Sequence, residues 1–143
     1  MRREERREGG RRSARRAAVF LLYQHDVTGL PIPELEENAE RESGEPLDVF
    51  ARSLVEGVLA ERQALDAEIT AAAEDWTVER VSPLERNILR VAVHEIRSHP
   101  DIPSPVSINE AVDLAKRYCQ VEAAGFVNGI LGAIASAHAG NRA

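Results

Sequence analysis

No stretch of this chain alternates apolar and polar residues for long enough to build a strand, whereas apolar residues recur at helical spacings almost throughout. Such a pattern fits amphipathic helices packed on one another and argues against a sheet-based core. Ala14, Ala17, Ala18, Leu21 and Leu22 form one stripe after Ser13, a candidate N-cap, and Gly29, Pro31 and Pro33 end that helix. A short acidic helix follows Pro33 and ends near Ser43 and Gly44. Pro46 stands where a first helical residue is pre-organised, ahead of Leu47, Phe50, Ala51, Leu54 and Val58. This pattern continues, with a break, through Leu65 and Ile69 toward Trp76.

Ser82-Pro83-Leu84-Glu85 has the form of a capping box with proline at its first helical position, and it opens a helix that turns Leu84, Ile88, Val91, Ala92 and Ile96 inward. Pro100, Pro103 and Pro105 predict an extended connector. A second capping box, Ser107-Ile108-Asn109-Glu110, predicts the next helix start. After a break near Gln120, Phe126, Val127, Ile130, Leu131 and Ile134 mark a last helix. At 143 residues the chain is read as one all-α domain. It comprises a basic arm (1–12) and two helical halves, about 13–76 and 77–139, meeting around 77–82.

The charge is divided unevenly. The net formal charge is −6, yet residues 1–16 hold eight Arg against three Glu. An acidic body excludes uniform polyanion binding; a basic arm allows a local form of it. Arg11, Arg12, Arg15 and Arg16 fall at or just inside the expected start of the first helix, where the macrodipole makes cations mildly unfavourable. A solvated tail and a nucleic-acid arm both fit this composition. Guanidinium groups match phosphate oxygens and stack on bases. Aromatic residues are few and belong mostly to the core; Tyr23 is the best placed to stand beside the arginines. Around Glu79, Arg80, Glu85 and Arg86 lies a mixed-charge surface, either a solvated face or a seat for a basic protein.

Catalytic chemistry has little support. His94 and His99 are five apart, about 140° around a helix, whereas a zinc helix needs four, and they read as solvent-facing or helix-terminal. Gly125, Gly129 and Gly132 lack the Lys-Ser/Thr of a phosphate loop and read as points of close helix approach. Cys119 is the only cysteine, so no internal disulfide forms, which suits a reducing compartment. The seven apolar residues from Ala17 to Tyr23 are too short for a membrane span or a secretion signal. No metal or cofactor is expected.

Three segments together carry a family resemblance. Arg11-Arg12-Ser13-Ala14-Arg15 with Ala17-Ala18-Val19 and Leu22-Tyr23, Glu85-Arg86-Asn87-Ile88-Leu89-Arg90-Val91-Ala92 with Glu95-Ile96, and Val106 to Lys116 followed by Phe126-Val127-Asn128-Gly129-Ile130-Leu131 resemble the NusB family of bacterial transcription antitermination factors. The likeness spans essentially the whole chain, with residues 30–75 matching only in pattern. It implies a cytoplasmic, non-enzymatic, all-helical protein of two small bundles. The implied partners are single-stranded boxA RNA of nascent ribosomal transcripts, the small-subunit ribosomal protein NusE and the transcription elongation complex.

By position, Arg11, Arg12 and Arg15 match the basic RNA-binding start, with Arg16 a further RNA-binding candidate beside them; Tyr23 matches the first-helix tyrosine, Phe126 the RNA-side aromatic and Glu122 the acid before it. Glu85 matches a NusE-contact position; Arg86 and Arg90 share its helix, and Glu79 lies just upstream. Two departures stand out: Gln120-Val121-Glu122-Ala123-Ala124 replaces the usual Glu-Asp-Ser loop, and His94 replaces an aromatic. Reversing Arg12 and Arg15 to Glu is expected to weaken RNA binding without loss of helix. Competing readings are the NusB-like module of an rRNA cytosine methyltransferase, which needs a further catalytic domain, and a homodimeric helical protein with no RNA role.

Overall fold

The computed structural model describes residues 3–74 and 80–142, so Trp76 and Glu79 lie outside the described residues. Its helices are α1 (Arg3–Thr28), α2 (Ile32–Ser43), α3 (Val49–Ala72), α4 (Pro83–Ser98), α5 (Ser104–Tyr118) and α6 (Ala123–Arg142), with no strand among the described residues. No helix among them is long and apolar enough to cross a membrane.

The packing is organised around α4, which touches α1, α3, α5 and α6. Ten consecutive residues of it, Asn87 to Ile96, are buried. A helix covered on all sides is usually apolar all round. This one carries Asn87, Arg90, His94 and Glu95 into the interior, and each is answered from a neighbouring helix. Asn87 Nδ2 donates to Asp26 of α1 at 3.0 Å. Arg90 donates to Asp66 of α3 at 2.7 and 3.0 Å and to Asp26 at 3.2 Å. His94 Nδ1 lies 3.0 Å from Glu61 of α3. Glu95 accepts two bonds from Arg15 of α1, at 2.8 and 3.0 Å, and one from the Ser107 hydroxyl of α5 at 3.0 Å. Buried polar groups are tolerated only when bonded, so these partners fix how each helix is rotated about α4.

Several local expectations change. Because α1 begins at Arg3, Ser13 is an interior residue rather than a cap, and the arginines from 11 to 16 are not at a helix terminus, so the dipole argument against them lapses. Ala17 faces solvent. Pro46 stays in the connector, while the Asp48 side chain caps α3 by accepting from the Phe50 and Ala51 amides. No break interrupts α3. Ser82 caps α4 as expected, accepting from the Glu85 amide at 3.4 Å. The similar motif at Ser107 is not a cap. Pro103 precedes the first helical residue of α5, which starts at Ser104 with proline in its first turn, and Ser107 is thereby carried inside and buried.

The glycines also exchange roles. A Cβ on Gly125, Gly129 or Gly132 would meet nothing within 4 Å, so none of them serves a close approach. Gly57 does: a Cβ there would overlap the imidazole of His94. His94 is therefore buried beneath α3 rather than solvent-facing. Burial pushes it below the usual histidine range, against the pull of Glu61.

Three outcomes follow from this packing. Glu95→Gln leaves the Arg15 cation buried and unpaired and is expected to cost about 3–5 kcal/mol, read by chemical denaturation. Gly57→Ala is expected to cost about 1–3 kcal/mol through overpacking against His94, read the same way. Burial alone would raise the Asp26 carboxyl, but hydrogen bonds from Arg86 and Asn87 and the charges of Arg86 and Arg90 hold it down at about 2, from an ordinary 3.8. A depressed carboxyl stabilises the fold above its unfolded value. Stability of about 2 kcal/mol should therefore be lost as pH falls from 3.8 toward 2. Asp26→Asn should flatten that part of the stability–pH curve.

Candidate nucleic-acid interface

The arginine doublets of α1 are split by helical geometry. Residues four apart share a face, so Arg11 and Arg15 point one way and Arg12 and Arg16 another. Arg15 points inward; its side chain is 3% exposed and grips Glu95. Arg11 is partly covered, its guanidinium 4.9 Å from the centre of the Phe50 ring and 3.8 Å from Asp101. Arg12 and Arg16 are exposed. Arg15, expected among the phosphate ligands, thus cannot reach a strand in solution without breaking the Glu95 pair. Replacing it with Glu would bury two carboxylates together, so the expected separation of RNA binding from helix content fails for that residue.

Along the exposed face, α1 lies beside α5. Arg12 Nε donates to Glu110 Oε1 at 2.8 Å, and the Phe20 ring meets the Tyr118 ring edge-on with centroids 4.9 Å apart. Each pair spans 98 residues, which means the two helices run parallel in a constant register over about 12 Å. Arg16 sits one turn from Arg12 and one turn from Phe20, and it makes no ion pair among the described residues. Arg12, Arg16 and Phe20 therefore form a strip that starts cationic and ends aromatic. Tyr23 is half-buried one turn beyond Phe20.

Tyr118 also opens the wall of a cleft of about 730 Å³ enclosed by the start of α4, the end of α5 and the start of α6. Glu85, Cys119, Glu122 and Phe126 line it, with Arg80 at its edge. The Ser82 cap points the first turn of α4, and with it Glu85, toward this space. Phe126 packs partly on the core and leaves the rest of its ring in the cleft. Burial, reinforced by the charge of Glu85, pushes the Cys119 thiol up, which keeps it protonated and a weak nucleophile.

The structure thus brings Glu85, Glu122 and Phe126 together; Arg16 lies one turn and Arg12 two turns from the Phe20 ring that meets Tyr118 at the cleft wall. It separates Arg86 and Arg90 from Glu85. Arg86 chelates Asp26 at 2.6 and 2.9 Å, and Arg90 is 4% exposed between Asp26 and Asp66. Arg86 turns to α1 and Arg90 to both α1 and α3, and neither lines the cleft. Phe20 and Tyr118 are the residues that sequence reasoning left out. Their pairing is tertiary, and neither carries a local signal.

Comparison with known proteins places this geometry. Residues 12–136 match the model of the NusB family. The chain is 45% identical over 121 residues to the transcription antitermination protein NusB of Rubrobacter xylanophilus, across 85% of this chain and 86% of that protein. It is 41% identical over 124 residues to the NusB of Oceanobacillus iheyensis, across 87% and 97%. It superposes on T. maritima NusB with a TM-score of 0.81 at 34% identity, covering 92% of this chain and 94% of that one. A crystal structure of the antitermination factors NusB and NusE in complex with double-stranded RNA gives 0.79 at 29% identity, covering 89% and 96%. Matched in sequence and in fold over most of its length, the chain belongs to the NusB family.

Proposed function

We propose that this protein is a transcription antitermination factor: an RNA-binding adaptor, not an enzyme, that holds boxA RNA of nascent ribosomal transcripts in partnership with NusE. The observation that carries the reading is the continuous strip from Arg12 and Arg16 through Phe20 and Tyr118 to the Phe126 cleft. Arg12 and Arg16 engage phosphates, Tyr118 and Phe126 pack against unstacked bases, and Tyr23 lies at the margin. Glu85, at the mouth of the same cleft, offers an acidic contact to the basic ribosomal protein. Arg15, Arg86 and Arg90 act indirectly, by holding α1 and α4 in place.

Relatives named as antitermination proteins, and a fold neighbour seen with NusE and RNA, support the assignment. The finer reading is that the assembly works in the cytoplasm on the elongation complex. Adjoining contacts for RNA and NusE, meeting at one cleft on a single body, raise each partner's effective concentration for the other. A homodimer that covered the α1–α5 strip would compete with RNA.

Titration of labelled boxA RNA with and without NusE, at several salt concentrations, tests this. Specific binding that NusE strengthens is expected; equal affinity for a scrambled oligomer would refute it. Arg16→Glu should weaken binding and reduce the salt slope by about 0.7, the share of one phosphate on a single strand, with the thermal melt unchanged. Phe126→Ala should lose about 1–3 kcal/mol of RNA affinity if a base stacks there, judged against circular dichroism as a folding control.

A further inference from the structure

We propose that Glu110 is an internal competitor for the RNA backbone, occupying Arg12 as a phosphate would and thereby setting how tightly the strip holds RNA. The proposal rests on the RNA-binding reading and names a residue that tunes it.

The strip contains an acid directly against one of its two exposed arginines. Glu110 Oε1 accepts from Arg12 Nε at 2.8 Å, with the glutamate side chain 13% exposed and the arginine 69%. The carboxylate thus lies beneath a guanidinium that a strand approaching from solvent meets first. Among the described residues Glu110 has no hydrogen bond or ion pair other than the one to Arg12. It stands in the second turn of α5, past the region where an acid serves the helix start, because α5 begins at Ser104. Ser107, the residue that would make it part of a capping box, bonds Glu95 instead.

A carboxylate and a phosphate offer a guanidinium the same kind of oxygen acceptor. RNA that takes Arg12 by its Nε edge must therefore displace Glu110 and leave it partly buried beside an anionic strand. Arg16 carries no such partner among the described residues, so the two arginines of the strip differ in availability.

The test is a double-mutant cycle on the intact chain, read with single-stranded boxA RNA in the presence of NusE. Glu110→Gln should tighten binding roughly two- to five-fold, the worth of an exposed ion pair. It should also steepen the salt slope by up to about 0.7, one further phosphate neutralised. In an Arg12→Gln background the same change should bring no gain. A gain of equal size there would mean that Glu110 merely repels the strand, and would overturn the proposal. So would a Glu110→Gln variant that melts like the wild type and binds no better. Wild-type protein that ignores the RNA overturns the RNA-binding reading itself, which keeps the two failures apart. As a second variant, Glu110→Asp keeps the charge but shortens its reach, and it should fall between wild type and Glu110→Gln; affinity equal to that of the wild type counts against the proposal.

Discussion

The buried contact among Arg15, Glu95 and Ser107 sets the geometry of the face that α1 and α5 share. It joins α1, α4 and α5 at one carboxylate, with both charged side chains almost wholly covered. An ion pair in such a place stabilises little relative to apolar residues of the same shape, but breaking it is costly, and it admits few alternative geometries. Once Arg15 is locked inward, the rotation of α1 is decided, and Arg12 and Arg16 have to face out. Once Ser107 is locked to the same carboxylate, α5 is drawn alongside, which lets Arg12 meet Glu110 and Phe20 meet Tyr118.

The same logic repeats along α4. Asn87 and Arg90 are met by Asp26 and Asp66, His94 by Glu61, and Gly57 leaves the space that the imidazole fills. A few of the chain's acids and arginines are committed to this interior network. Of the four arginines from 11 to 16, Arg15 is spent inside and Arg11 is partly covered, which leaves Arg12 and Arg16 as the exposed pair. A focused patch on a negatively charged body favours one orientation of a polyanion over indiscriminate coating.

The sequence made the helical class and most element boundaries legible, because 3.6-residue periodicity, the Ser82 box and the Gly44 stop act locally. It misled wherever two local signals competed. Two motifs of identical form had different fates: Ser82 caps α4, but at Ser107 the upstream prolines had already begun α5. Of the site residues, Phe126, Glu122 and Glu85 could be placed by resemblance and do converge on one cleft. The inward turn of Arg15 and Arg90 could not be foreseen, since it depends on acids far away in the chain. Gly57 gave no sign either, for an isolated glycine in a helix does not reveal what lies over it.

The splitting of the arginine doublets has a genetic corollary. Codons 15 and 16 specify the same amino acid, yet one side chain belongs to the interior and the other to the solvent boundary. Alleles arising at these neighbouring codons would therefore sort into separate phenotypic groups, with heat-sensitive accumulation defects at the first and full-abundance protein at the second.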